Sequence, residues 1–207
     1  MMAKHGGESG TKRHTKKKRD ASPNEQLEEV VVIFLDMDGV IQPFGAEATS
    51  DEFPDSTLQA FSYILYHVPF AKVVLSSTWR VHSSSIDLIE CRFQAYAEKK
   101  MQQRSLEEKT DVIDRHPLQN FVFLDITNPQ MHTERQYEID DWLERKAHRY
   151  SIAAWIAVDD EELLQGTTNA RISAQFKDRV VQTQSNVGLT LMDAQLAVQL
   201  LRNQLDA

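Results

Sequence analysis

Cysteine is nearly missing from this chain: Cys91 is the single one among 207 residues. An internal disulfide framework is therefore excluded, and the matching expectation is a reducing, intracellular compartment, cytoplasmic or nuclear. The seven histidines are scattered and, with the lone cysteine, give no spacing suited to zinc. No apolar run comes near the roughly 20 residues that a membrane-crossing helix needs, so no membrane partner is expected. The N-terminal stretch is polar and basic, without the apolar segment of a secretory signal. Internal repeats and long low-complexity segments are absent as well.

What is there is a chain with an ordinary supply of core residues, 41% hydrophobic and 26% charged, at a net charge of -8. The charge is unevenly placed. Residues 1–20 hold seven Lys or Arg against Glu8 and Asp20, so the tail is +5 and the remainder -13. A body this acidic has no general affinity for nucleic acid, and any polyanion contact falls to the tail or to one local patch. Residues 1–26 have almost no large apolar side chains and read as a disordered basic tail. Its KKKR run at 16–19 has the composition of a nuclear address or a nucleic-acid contact, and equally that of a plain solvated charge run. Residues 27–207 read as one domain.

From Val30 onward the pattern alternates between strand and helix. VVVIFL (30–35) is a continuous β-branched apolar run, as expected of a strand buried on both faces of a parallel sheet. Residues 54–67 have helical spacing, AKVVL (71–75) reads as the second strand, and 86–116 is a long helix-compatible stretch ended by Pro117. FVFL (121–124), IAAWIAV (152–158) and RVVQT (179–183) read as further strands. Helices are expected over 134–148 and from Thr190 to about Leu205, the last capped by Thr190 or Asp193. Five short strands separated by helices predict an α/β fold, a doubly wound, Rossmann-like five-stranded parallel sheet.

Ligands of such sheets sit at the carboxyl ends of the strands. Three strands end there in polar chemistry: Asp36 and Asp38 after the first, Ser76 and Ser77 after the second, Asp159 and Asp160 after the fourth. Carboxylates converging from separate strand ends suit a hard divalent cation, and magnesium is the expected cofactor, with Asp36, Asp38, Asp159 and Asp160 as candidate ligands. Phosphoryl transfer needs an in-line nucleophile, positive charge on the transferring oxygens and an acid for the leaving group. A carboxylate at Asp36 can form an aspartyl-phosphate, and Asp38 can protonate the leaving oxygen and then activate water. Gly39 lets the backbone turn sharply beside the ligand. Taken singly these are ordinary features: a turn, a helix cap, an acidic helix start.

Together, FLDMDGVI (34–41), VVLSSTWR (73–80) and WIAVDDEEL (155–163) resemble, in order, the first, second and fourth motifs of the haloacid dehalogenase-like (HAD) superfamily. The resemblance covers about residues 30–205 and is similar to small HAD domains, including those of RNA-repair proteins. It implies Asp36 as nucleophile, Asp38 as general acid and base, Ser77 rather than Ser76 as the phosphate-binding hydroxyl, and Asp159 as direct metal ligand. It also implies a basic third-motif residue. Arg135, at the start of the helix before the fourth strand, takes that place, with Lys146 as runner-up. Arg80 after Trp79 is assigned either to substrate or to an acid partner, and Trp79, Trp142 and Trp155 to the core. Only about forty residues separate the first two motifs, which leaves little or no room for a cap domain.

The expected activity is hydrolysis of a phosphomonoester, with a nucleotide or nucleic-acid end as the weakly suggested substrate. A silent HAD-fold module that binds a phosphorylated partner, or a phosphotransferase, is the alternative.

Overall fold

Along the first strand, β1 (Glu28–Leu35), Val31, Ile33 and Leu35 enter one buried cluster while Val30, Val32 and Phe34 enter another. Successive side chains of a strand point to opposite faces, so a strand apolar at every position must be covered on both sides. The computed structural model describes residues 27–45, 52–108, 115–131, 134–164 and 169–207. The basic tail with its KKKR run, and 109–114 of the stretch expected to be helical, lie outside the described residues.

The sheet has five parallel strands: β1, β2 (Ala71–Leu75), β3 (Asp125–Ile126), β4 (Tyr150–Asp159) and β5 (Val180–Gln182), in the order β3-β2-β1-β4-β5. Helices α1 (Asp55–His67), α2 (Ser83–Glu108) and α5 (Leu191–Leu205) cover one face through Phe61, Phe93 and Leu201. Helices α3 (Arg135–Lys146) and α4 (Ala170–Phe176) cover the other through Trp142, Ile172 and Phe176. This is a doubly wound α/β sandwich. Among the described residues no helix is long and apolar enough to cross a membrane.

Local chemistry sets the element ends. Thr190 and Asp193 act together rather than as alternatives. The Asp193 amide donates to Thr190 Oγ1 at 3.2 Å, and the Thr190 amide donates back to Asp193 Oδ2 at 2.9 Å, a reciprocal cap on α5. The third strand is shorter and later than FVFL predicts. Phe121 and Phe123 turn into an aromatic cluster with Phe61 and Phe93, and the Phe123 amide donates to Glu90 Oε1 rather than to a neighbouring strand. The strand register with β2 falls to Asp125 and Ile126, and of FVFL the Leu124 amide alone is seen donating to β2, to the Val73 carbonyl at 2.8 Å. The long helix begins at Ser83, ahead of the predicted 86, and residues 115 and 116 are not helical. A short 3-10 turn at Thr78–Val81 and α4, capped by Asn169, have no counterpart in the sequence reading.

Candidate active site

The chain builds β2 and β3 outward on one side of β1, then crosses over to build β4 and β5 on the other. The reversal falls between β1 and β4, where the following connections leave in opposite directions and open a crevice. Asp36 leaves β1 and Asp159 ends β4 at that point, held in register by the Asp36 amide donating to the Val158 carbonyl at 3.0 Å. Ser76 follows on β2, its amide bonded to the Leu35 carbonyl at 2.9 Å.

Asp36, Asp159 and Asp160 each bring a carboxylate oxygen to within 4.8 Å of the others. Asp38 is not in this group: Trp79 Nε1 donates to its Oδ2 at 2.9 Å and holds it at the side. Gly39 is needed here for volume as much as for its φ of 71°. A Cβ at that position would lie within 2.5 Å of the Asp160 carboxyl carbon, so the missing side chain is the space that Asp160 fills.

Arg135 opens α3 and reaches three acids: Nε donates to Asp159 Oδ2 at 3.0 Å, Nη1 to Glu138 Oε2 at 3.3 Å and Nη2 to Asp36 Oδ1 at 3.4 Å. Lys146, about three turns further along the helix, pairs instead with Asp125 at 2.6 Å and is outside the site. Arg80 is paired with an acid, its Nη2 lying 2.7 Å from Glu138 Oε1, while Nη1 donates to the Ser77 carbonyl at 2.8 Å. Glu138 thus clamps both guanidinium groups. Thr78, Arg80, Arg135, Glu138 and Glu161 line a hollow of about 180 Å³ against this frame.

Ser76 and Ser77 are both buried. The Ser77 hydroxyl helps to lower the Asp36 carboxyl and accepts from the Trp79 amide at 3.4 Å, which makes it the cap of the 3-10 turn. No bond places the Ser76 side chain on the acids.

The electrostatics are those of a site with surplus negative charge. Burial raises the Asp36 carboxyl above the usual range, against the pull of Arg135 and Ser77. Asp159 is pushed up to about 8, by burial first and by the neighbouring Asp36 charge second. Burial also raises Asp160. Three buried carboxylates (Asp36, Asp159, Glu138) face only two buried guanidinium groups (Arg80, Arg135), and Asp160 adds a further acid at the mouth. A divalent cation with oxygen ligands fits this donor set, because it supplies the charge the buried acids lack.

Two features here have no signal in the sequence. Glu138 looks like an ordinary acidic helix residue, and Trp79 looks like core. Trp142 and Trp155 are buried in the core, whereas Trp79 is half-buried, packed against the core while its indole nitrogen bonds Asp38.

A family model of HAD domains in Swiss Army Knife RNA repair proteins matches residues 32–194, from β1 into the first turn of α5. No curated protein and no solved structure matches the chain.

Proposed function

This chain belongs to the family of HAD domains in Swiss Army Knife RNA repair proteins, and from that premise we propose that it is a magnesium-dependent phosphatase acting through an aspartyl-phosphate on Asp36. The observation that carries the reading is one cluster: Asp36, Asp159 and Asp160 within 4.8 Å, with Arg135 bridging Asp36 and Asp159. These three acids would hold Mg2+, which when bound offsets negative charge on the acids and on a phosphate.

The protein's own residues then divide the work. An Asp36 carboxylate oxygen attacks phosphorus while the bond to the leaving oxygen breaks. Arg135, always charged, can bind two phosphate oxygens at once, and Ser77 offers one hydroxyl beside it. Both also counter the burial that would otherwise keep the nucleophile protonated. Asp38 gives its proton to the departing oxygen, then takes one from the water that attacks the aspartyl-phosphate, releasing phosphate and restoring Asp36. The Trp79 bond fixes where that carboxyl points. Arg80, bonded to Glu138 and to the Ser76 and Ser77 carbonyls, takes a supporting place beside Arg135 in this reading. The substrate we assign is a phosphorylated nucleotide or nucleic-acid end.

Phosphate release from nucleotides and from 5′- and 3′-phosphorylated oligonucleotides, with Mg2+ or EDTA, tests this. Release that needs the metal and disappears in Asp36→Asn is the expected result. Release that survives Asp36→Asn defeats the assignment. Folded protein that takes up Mg2+ and turns over nothing favours a silent module binding a phosphorylated partner.

A further inference from the structure

The surface between α1, α2 and the segment 115–122 differs from the rest of this acidic molecule. Two hollows of about 440 and 620 Å³ share Tyr66, Arg115 and Pro117 and so form one groove. Among the described residues not one Asp or Glu lines either hollow, although the whole chain has 31 acids against 23 Lys and Arg. The cationic side chains are Lys72, Lys100, Arg104 and Arg115, joined by His116. Lys100 pairs with Asp55 at the edge, at 2.8 Å. Among the described residues Lys72, Arg104 and Arg115 have no ion-pair partner, and all three are exposed. His116 Nδ1 accepts the Leu118 amide at 3.2 Å, which leaves the ring proton on Nε2 as a donor.

Aromatic faces accompany the charge. Tyr66 is 63% exposed. It meets His67 edge-on at 5.4 Å, and His67 in turn lies 3.9 Å from the Tyr63 ring. Tyr96 packs against His116 at 5.5 Å. A supported, exposed tyrosine beside unpaired guanidinium groups offers stacking and phosphate contact together, and unstacked bases joined by phosphates present both. A duplex hides its base faces, and an acidic peptide has no use for the aromatic ledge. The groove begins at the amino end of β2, where Ala71 and Lys72 line it, and runs along α1 to Leu191 at the start of α5.

We propose that this groove binds single-stranded nucleic acid, with Arg104 and Arg115 on phosphates and Tyr66 under a base. The inference deepens the assignment of a nucleic-acid substrate and rests on it for its purpose, but binding can be measured without turnover.

The test uses full-length protein and a fluorescein-labelled single-stranded oligoribonucleotide with hydroxyl ends, followed by anisotropy. Arg104→Ala and Arg115→Ala should each weaken binding and lower its salt slope by about one. Tyr66→Ala should weaken it on the order of tenfold. Asp36→Asn should bind like the parent, and a parent protein that binds the oligonucleotide yet releases phosphate from no phosphorylated end would sink the catalytic reading while leaving the groove intact. Binding unchanged in all three groove variants overturns the proposal. So does loss only when Lys16, Lys17, Lys18 and Arg19 are replaced by alanine, because the tail is then the contact. Equal competition by polyglutamate, with Tyr66→Ala silent, makes the groove a plain anion surface and overturns the nucleic-acid assignment too.

Discussion

The crevice at the ends of β1 and β4 and the groove beside α1 handle charge in opposite ways. In the crevice the charges are buried and every guanidinium is engaged: Arg135 with three carboxylates, Arg80 with Glu138 and backbone carbonyls. In the groove Lys72, Arg104 and Arg115 are exposed, and Arg104 and Arg115 stand unpaired among the described residues. Buried charges need partners to be tolerated at all, so the crevice is coupled to the stability of the fold. Exposed charges cost little, so the groove can be altered with the fold left alone.

The largest effect that would sharpen the contrast is on turnover. Asp36→Asn should lower phosphate release by at least about a thousandfold while far-ultraviolet circular dichroism stays unchanged. Next is the clamp. Glu138→Ala leaves two buried guanidinium groups short of a partner and should cost about 3–5 kcal/mol in denaturant unfolding; a cost below about 1 kcal/mol would show the crevice to be as tolerant as the groove. Gly39→Ala must displace the Asp160 carboxylate and should weaken Mg2+ binding about ten- to a hundredfold by calorimetry.

The pH dependence of metal-free protein separates the regions again. Asp159 has a usual value of 3.8 and a folded value of about 8. Between these the folded state binds more protons than the unfolded one, so stability is highest below about 4 for this group and declines as pH rises toward about 8. Melting temperature should therefore fall across that window without metal. Saturating Mg2+ should offset the fall, since it binds the deprotonated acids. The smallest effect is in the groove: Arg104→Ala should leave unfolding free energy within about 0.5 kcal/mol. A larger loss would mean that this cation supports the fold as those of the crevice do.

What could be read in advance follows from how local each signal is. β1, β2 and β4 are central strands whose continuous apolar runs announce them; Asp36 and Ser77 lie just past the ends of β1 and β2, and Asp159 is the last residue of β4. At the sheet edge the same logic misleads. FVFL is apolar because Phe121 and Phe123 fill the cluster under α2, and an apolar run alone does not say which neighbour it serves. Arg135 was found from its place in the chain, whereas Glu138 gains its role only when Arg80, some sixty residues away, arrives beside it. The groove was invisible for the same reason. Tyr66, Arg104 and Arg115 belong to three separated segments, and in the linear count their charge vanishes into a net of -8.

The indole of Trp79 has a practical use. Of the three tryptophans, Trp142 and Trp155 are sealed beneath the sheet, while Trp79 alone holds a site carboxylate through its ring nitrogen. Its emission should respond to any displacement of Asp38 from the ring nitrogen. The protein therefore carries its own optical gauge of the Asp38 carboxyl, and substituting Trp142 and Trp155 by phenylalanine would let that gauge be read in real time, with no label attached.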